Sequence, residues 1–279
     1  MEDDEDILVE SESRKKRFME ELAAFPVVEV IGVVGASGAS GGKSRGEDRW
    51  TLMFTLEAWR LHPSGSLTQP LTIRRVVTDE ELGRFRDLIR PYTVIRIKAR
   101  VAVASSFGGA QGLLDEFVGI DISDPEMNDH LDRLQKPVTH EDPLLGTFTL
   151  DRRIDWFSGN VVWCGNPVSL NLSATEAVEI NDALKTARAL CRSQSAWNWR
   201  IREYAVQELL PLKNDVWLDD NEKKLTASRF KDRMRLESIT VYPNGSFEFW
   251  HNDGDLFWGH SIQISGSLAE GPTDADIPG

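Results

Sequence analysis

The amino-acid sequence predicts an α+β protein in which a small OB-like β-barrel precedes a second α+β domain. Residues 26–124 show the hydrophobic periodicity of three strands, one helix and two strands, and this βββαββ order is that of the five-stranded OB barrel. Beyond residue 144, strands are followed by helices and then by strands that Asn-Gly and Asp-Gly turns separate. This second order predicts antiparallel strands with helices on one face and a C-terminal β-meander.

Residues 1–25 are predicted to form an acidic tail and a short helix, in which Phe18 and Leu22 lie one turn apart. In the OB-like domain, residues 26–124, Thr78 and Glu81 form the capping-box pattern that begins a helix. Period-two alternation and this cap predict five strands and one helix: strands Val27–Val34, Trp50–Leu61, Leu71–Val77, Thr93–Ala104 and Leu113–Asp121, and a helix over Asp79–Ile89.

The segment 125–143 is polar, contains three prolines and is predicted as a linker with a short helical piece. The second α+β domain is predicted to span residues 144–279. Its long helical pattern begins at Ser173, with Glu176 completing a capping box, and we expect a break near Ser193–Ser195. The other predicted elements are strands Gly146–Leu150, Asp155–Trp163 and Val168–Leu172, a helix Thr226–Leu236, and strands Ser238–Tyr242, Ser246–Trp250 and Leu256–Ser265.

The net charge of −13 is unevenly distributed along the 279 residues. Residues 126–279 carry 16 basic and 24 acidic side chains, whereas residues 26–125 carry 12 of each. Because phosphate contacts supply most of the affinity for duplex nucleic acid, the acidic excess disfavours that partner and favours a basic protein. No apolar run approaches the roughly 20 residues that span a bilayer, and the N-terminus is acidic rather than basic. We therefore expect a cytoplasmic protein that does not enter a membrane.

A short stretch in the first domain, Gly42-Lys43-Ser44, is similar to the end of a phosphate-binding loop. Ser37, however, stands where such a loop needs a glycine. The residues that follow alternate as a strand, whereas a phosphate-binding loop must open a helix. The sequence therefore predicts a strand, a flexible Gly/Ser loop and a strand, without a nucleotide site.

The fourth strand of the first domain carries a basic stripe on its outer side, formed by Arg96, Lys98 and Arg100. An OB surface that binds single-stranded nucleic acid combines such residues with exposed aromatic rings. Trp50 and Phe54 are instead predicted on the buried side of their strand. We interpret the stripe as a solvated face or as a contact for an acidic partner, with single-stranded nucleic acid as the alternative.

The densest polar group is a hairpin that contains His251, Asp253, Asp255 and His260. Imidazoles and carboxylates are metal ligands, but the two aspartates flank a turn glycine, where Asp serves the backbone, and no known ligand spacing is present. No metal and no cofactor are therefore predicted. Cys164 could act as a nucleophile with His260 only as an exposed thiol, and its strand position predicts a packed core thiol instead.

Four stretches, "GTFTLDRRIDWFSGNV", "LPLKNDVWLDDNEKKLT", "LESITVYPNGSFEFWHNDGDLFWGHSIQISGSL" and "TDADIPG", resemble the bacterial family known as domain of unknown function 2262. The resemblance covers about residues 145–279 and implies a bacterial cytoplasmic protein, but it assigns no activity. The WLDD motif and the hairpin together define a candidate ligand or partner surface: Trp217, Asp219, Asp220, His251, Asp253, Asp255, Trp258 and His260.

Two classes of function agree with these observations. Because no complete catalytic motif is present, the sequence favours a non-catalytic protein-interaction module, for example an immunity or regulatory protein that binds a basic partner. The alternative is an enzyme, or a small-ligand or metal binder, that uses the hairpin from His251 to His260. The tryptophans bear on this choice, because Trp217 is predicted to plug the junction of helices and sheet, whereas an exposed aromatic cluster would mark a partner surface.

Overall fold

A computed structural model describes residues 17–44, 46–68, 70–104, 108–174, 176–218 and 222–279 of the chain. The chain forms two compact units, residues 1–136 and 137–279, and each is described by itself. None of the helices in the described ranges is long and apolar enough to cross a membrane. Most of the predicted acidic tail lies outside the described residues.

Within its described residues, the first unit contains three helices and six strands. In chain order these are α1 (residues 17–23), β1 (Val27–Val34), β2 (Ser40–Gly42), β3 (Trp50–Leu61), β4 (Leu71–Val77), α2 (Asp79–Leu88), β5 (Val94–Ala102), β6 (Ala110–Ile120) and α3 (Pro125–Gln135). The capping box of α2 is confirmed, because Glu81 N donates to Thr78 Oγ1 over 3.2 Å and Thr78 N donates to Glu81 Oε2 over 2.8 Å.

The five long strands of this unit close into a ring. Their order is β1-β5-β6-β4-β3, and β1 pairs with β3 as well as with β5. Only β4 and β6 run parallel; the other pairs are antiparallel. Apolar residues that alternate along the strands fill the interior, among them Val30, Leu52, Leu56, Ile73 and Ile97. The predicted α+β class is confirmed, and the five long strands and α2 follow one another in the predicted βββαββ order.

Two segments of this unit are more ordered than the sequence indicates. The Gly/Ser loop after β1 includes the short strand β2, which pairs with β3 and brings Ser40 opposite Met53. The segment 125–143, predicted as a linker, contains α3 and the first strand of the second unit. Met127 of α3 is fully buried and packs with Ile31 and Val94, so α3 belongs to the hydrophobic core of the first unit.

The second unit contains eight strands and three helices. They are β7 (Thr139–Asp142), β8 (Gly146–Asp151), β9 (Trp156–Trp163), β10 (Asn166–Leu172), α4 (Ala177–Arg192), α5 (Gln194–Asp215), α6 (Ala227–Arg233), β11 (Arg235–Val241), β12 (Ser246–Asn252), β13 (Ser261–Ser267) and β14 (Gly271–Asp276). The sheet follows the chain order from β7 to β14. All of its pairs are antiparallel except β10–β11, which joins two meanders.

Several predicted boundaries in this unit are wrong. Helix α4 begins at Ala177 rather than at Ser173, because Ser173 N still donates to Val241 O of the sheet, and Glu176 makes no side-chain cap. The predicted break is confirmed at Ser193, but α5 continues through Pro211. Residues 256–260 form a loop instead of a strand, and β7 and β14 are additional strands.

The eight-stranded sheet has one apolar and one polar face. Leu170, Ile239, Phe249 and Ile264 lie opposite one another in four adjacent strands and share the core with the buried stripe of α4 and α5. The residues that alternate with them point to the other face and are mostly Ser, Thr, Asn and Gln. The helices therefore cover one face, as predicted for an α+β layer.

Candidate functional site

The loop between β12 and β13, residues 253–260, is built around the carboxylate of Asp253. This side chain is buried; its Oδ1 accepts a hydrogen bond from Asp255 N over 3.1 Å. Its Oδ2 accepts from Phe257 N over 2.6 Å and from Gly259 N over 3.1 Å. Three backbone amides thus use the carboxylate, which confirms the turn role expected for an Asp beside this glycine.

A second contact fixes the same loop from outside. Arg233, at the end of α6, donates from Nε to Gly254 O over 2.7 Å and from Nη2 to Asp255 O over 2.8 Å. Gly254 has a φ of +56° and lies so close to α6 that a Cβ would come within 2.5 Å of Arg233 O. Leu256 and Phe257 are fully buried in the core, so the loop is anchored on both sides.

Lys213 connects this loop to the end of α5. Its side chain is fully buried, and Nζ donates to Trp217 O over 2.6 Å and to Glu222 Oε2 over 2.5 Å. The other carboxylate oxygen of Glu222 accepts from Arg233 Nη1 over 3.2 Å. A chain of charged groups therefore runs from α5 to the hairpin loop and holds the backbone of Trp217 in place.

Trp217, Trp258 and His260 come together at the end of this network, and we call them the aromatic surface. The centroids of the two indoles are 4.7 Å apart, and His260 lies edge-on to Trp217 at 5.5 Å. The inner edge of Trp217 meets the buried Phe257 at 5.6 Å. Trp217 thus fills the junction of helices and sheet, while Trp258 is 61% exposed with a φ of +56°.

The remaining predicted site residues lie in different environments. Asp255 is exposed in the loop, and Asp219 and Asp220 lie outside the described residues. His251 faces the core with 2% of its surface exposed, where burial, and then the charge of Arg202, lowers the pKa of its imidazole to about 4. In the described part of the chain, no three His, Cys, Asp or Glu side chains converge as metal ligands.

The prediction that Cys164 is a core thiol is wrong. Cys164 is exposed, with a φ of +49°, in the turn after β9, where the strand ends before the thiol can enter the core. Its backbone N–H donates to Gln194 at the beginning of α5, whereas His260 lies against Trp217 beyond the end of that helix. A helix of this length spans about 33 Å, so the thiol and this imidazole do not form a nucleophile–base pair.

The basic stripe of β5 has the predicted outward orientation, and its charges have partners inside the first unit. Arg96 lies 3.7 Å from Glu29 and 3.6 Å from Asp121, and Lys98 pairs with Glu116 over 2.6 Å. The guanidinium of Arg100 donates to backbone carbonyls at the end of α1. Trp50 is half-buried and Phe54 is buried, as predicted, so the stripe lacks these two rings as stacking partners.

The residues that hold the aromatic surface in place were not among the site residues predicted from the sequence. Lys213 stands in register with Ile201, Ala205 and Leu209 on the buried side of α5, four residues apart each time. A lysine on an apolar helical stripe is a signal that it needs an acidic partner inside the fold. The sequence pattern therefore indicates that Lys213 is buried and paired with an acidic residue, but it does not indicate that this residue is Glu222.

The described residues define a two-unit α+β protein. The first unit has a ring of strands, and the second has a mostly antiparallel sheet with helices on one face and an aromatic loop. Residues 142–277 match the family model described as "Uncharacterized protein conserved in bacteria (DUF2262)", which confirms the resemblance of the C-terminal half. Residues 14–134 match a second model, described as "Domain of unknown function (DUF7021)". No curated protein and no solved structure matches this chain.

Proposed function

We propose that the protein is a non-catalytic interaction module of the bacterial cytoplasm that binds a basic protein through the aromatic surface. Trp258 carries this proposal, because a large aromatic ring is 61% exposed in a backbone conformation that disfavours it. A left-handed non-glycine residue costs about 1–2 kcal/mol. Glycine or asparagine would close the same turn with less strain, and strain of this kind concentrates at functional positions.

The aromatic surface is also rigid before any partner arrives. Asp253 accepts hydrogen bonds from three backbone amides of the loop, and Arg233 donates to two of its backbone carbonyls. Lys213 donates to the backbone carbonyl of Trp217. Binding therefore costs little ordering of the loop, which favours affinity. Exposed tryptophans in such settings are frequent centres of binding energy in protein interfaces.

The chemistry around Trp258 favours a cationic partner. Asp255 is exposed three residues before Trp258, and residues 137–279 carry 14 basic and 21 acidic side chains. An indole face attracts arginine and lysine through cation–π interactions worth about 0.5–2 kcal/mol. We propose that a basic side chain of the partner stacks on Trp258 while the acidic surroundings steer the encounter.

The test compares three versions of the full chain, expressed with an affinity tag in the native host and examined by native mass spectrometry. Wild type and a Trp199→Ala variant are expected to retain a basic protein at fixed stoichiometry, since Trp199 is 64% exposed but lies on α5. Trp258→Asn is expected to lose the partner while remaining folded, because asparagine tolerates the left-handed conformation.

Two results would contradict the proposal. Equal recovery of the partner by Trp258→Asn and wild type would move the interface away from the aromatic surface. A small molecule or metal at fixed stoichiometry, with no protein partner, would favour the ligand-binding alternative for the hairpin and lead to assays of enzymatic activity.

A further inference from the structure

The polar face of the second unit's sheet carries two rows of cross-strand neighbours, one across all eight strands and one across β9–β14. Each row joins residues that lie directly opposite one another in adjacent strands. The first consists of Thr139, Thr149, Ser158, Asn171, Thr240, Glu248, Ser265 and Asp274. The second consists of Asn160, Ser169, Ser238, Trp250, Gln263 and Asp276. The rows contain three carboxylates, those of Glu248, Asp274 and Asp276, and no basic residue.

A cleft of about 410 Å³ opens at one end of this face, beside the turn between β11 and β12. Its lining is mostly hydroxyl and amide groups, with two carboxylates, Glu248 and Glu270. No lysine, arginine or histidine is among its lining residues.

Two aromatic side chains hold the carboxylate of Glu248 in a fixed position. Tyr242 Oη donates to Glu248 Oε1 over 2.8 Å, and Trp250 Nε1 donates to Glu248 Oε2 over 3.0 Å. Burial, and then the adjacent carboxylate, raises the pKa of Tyr242 to about 12, so the phenol remains a donor at neutral pH. Both donors are neutral, and the ion pairs of the described residues include neither Glu248 nor Glu270. The carboxylate of Glu248 is therefore held in one orientation, and no positively charged group of the described residues forms an ion pair with either carboxylate of the cleft.

We propose that this cleft binds the guanidinium group of an arginine side chain from a protein partner. A planar guanidinium forms directed hydrogen bonds to carboxylates and has further N–H groups for the hydroxyls and amide that line the cleft. The assignment rests on the charge and donor pattern of the cleft and does not depend on the aromatic surface, which lies at the opposite end of β12. If either the cleft or the aromatic surface does not bind its proposed partner, the proposal for the other one can still be tested separately.

The experiment titrates the full chain with the peptide acetyl-Gly-Arg-Gly-amide and follows the indole N–H signals by NMR. Trp250 Nε1–H reports directly on Glu248, and a Trp250→Phe variant assigns its signal among those of the nine tryptophans. The same peptide with citrulline in place of arginine is the matched neutral probe, and butylguanidine supplies a guanidinium of the same charge that is not part of a peptide. Glu248→Gln tests the carboxylate, and Glu141→Gln, on strand β7 at the other edge of the sheet, is the control variant.

The arginine peptide is expected to shift the Trp250 indole signal saturably, and the citrulline peptide is expected not to do so at the same concentrations. Glu248→Gln should weaken binding of the arginine peptide by about tenfold or more, the strength of a charge-assisted hydrogen bond. Glu141→Gln should leave that affinity unchanged. Equal shifts from both peptides, or no saturable shift at Trp250, would overturn the proposal. Tighter binding of butylguanidine than of the arginine peptide would overturn its assignment to a protein side chain.

Discussion

Replacing His251 by leucine should remove a pH-dependent part of the stability of the second unit. The imidazole is buried on β12, and burial together with Arg202 lowers its pKa from 6.5 to about 4. Between these values the unfolded chain binds a proton that the folded chain excludes, so the free energy of unfolding falls as the pH drops from 6.5 to 4. A shift of this size corresponds to about 3 kcal/mol at pH 4 relative to pH 7, at about 1.4 kcal/mol per pH unit.

The assay is urea unfolding followed by tryptophan fluorescence at several pH values between 4 and 7. Seven of the nine tryptophans lie in residues 137–279, so the signal reports mainly on the second unit. At each pH, the free energy of unfolding of His251→Leu is subtracted from that of wild type. This difference removes the contributions of carboxylates that both proteins share. A His140→Gln variant, on β7 of the same sheet, controls for the loss of any histidine. Equal pH dependence in wild type and His251→Leu would refute the reasoning.

Two further substitutions test how the aromatic loop is held. Lys213→Met should destabilise the second unit by about 2–4 kcal/mol, because it breaks the buried ion pair with Glu222; urea unfolding measures this loss, and a change below 0.5 kcal/mol would contradict it. Gly254→Ala should cost about 2 kcal/mol or more, since φ is positive and a Cβ would meet Arg233 O. Gly42→Ala has open space around the new methyl group and should stay within about 0.5 kcal/mol of wild type; equal effects of the two alanines would count against the steric argument.

The OB-like unit was predictable because its signals are local. Strands β1, β3 and β4 begin and end at the predicted residues, and Thr78 caps α2 as the sequence indicates. The period of the apolar residues indicates whether a segment is a strand or a helix. Turn and cap residues interrupt that period, so they indicate where the element begins and ends. The closure of the ring depends on β1 pairing with two strands far apart in sequence, and no local pattern encodes that pairing.

The errors arise where tertiary contacts override local preference. The prolines and polar residues of the segment 125–143 predicted a linker. In the structure, Met127 packs in the core of the first unit, and β7 extends the sheet of the second unit by pairing with β8. The alternation of Leu256–Ser265 predicted a strand, but the carboxylate of Asp253 gathers the backbone amides of Phe257 and Gly259 into a loop. The packing of Met127 and the hydrogen bonds of Asp253 therefore decide the local structure, and neither contact is visible in the periodicity of the segment.

The candidate site was predicted in composition but not in arrangement. Trp217, Trp258 and His260 were all named from the sequence, and the structure brings them together. His251 and Asp253 were named for the same reason but are buried, because period two places His251 on the core face of β12. The cleft around Glu248 went unnoticed, since its residues come from turns and strands whose register becomes visible only in the folded sheet.

The parallel contact between β10 and β11 divides the eight-stranded sheet into two halves with different folding demands. Within each half, neighbouring strands are neighbours in sequence and can pair after closing short loops. Joining the halves requires residues 173–234 to close into one long loop that contains α4, α5 and α6. We therefore expect β7–β10 and β11–β14 to form early and their junction to form late. Both the cleft and the loop bearing Trp258 belong to the C-terminal half, so a partner present during synthesis would meet them only after strands β11–β14 have left the ribosome.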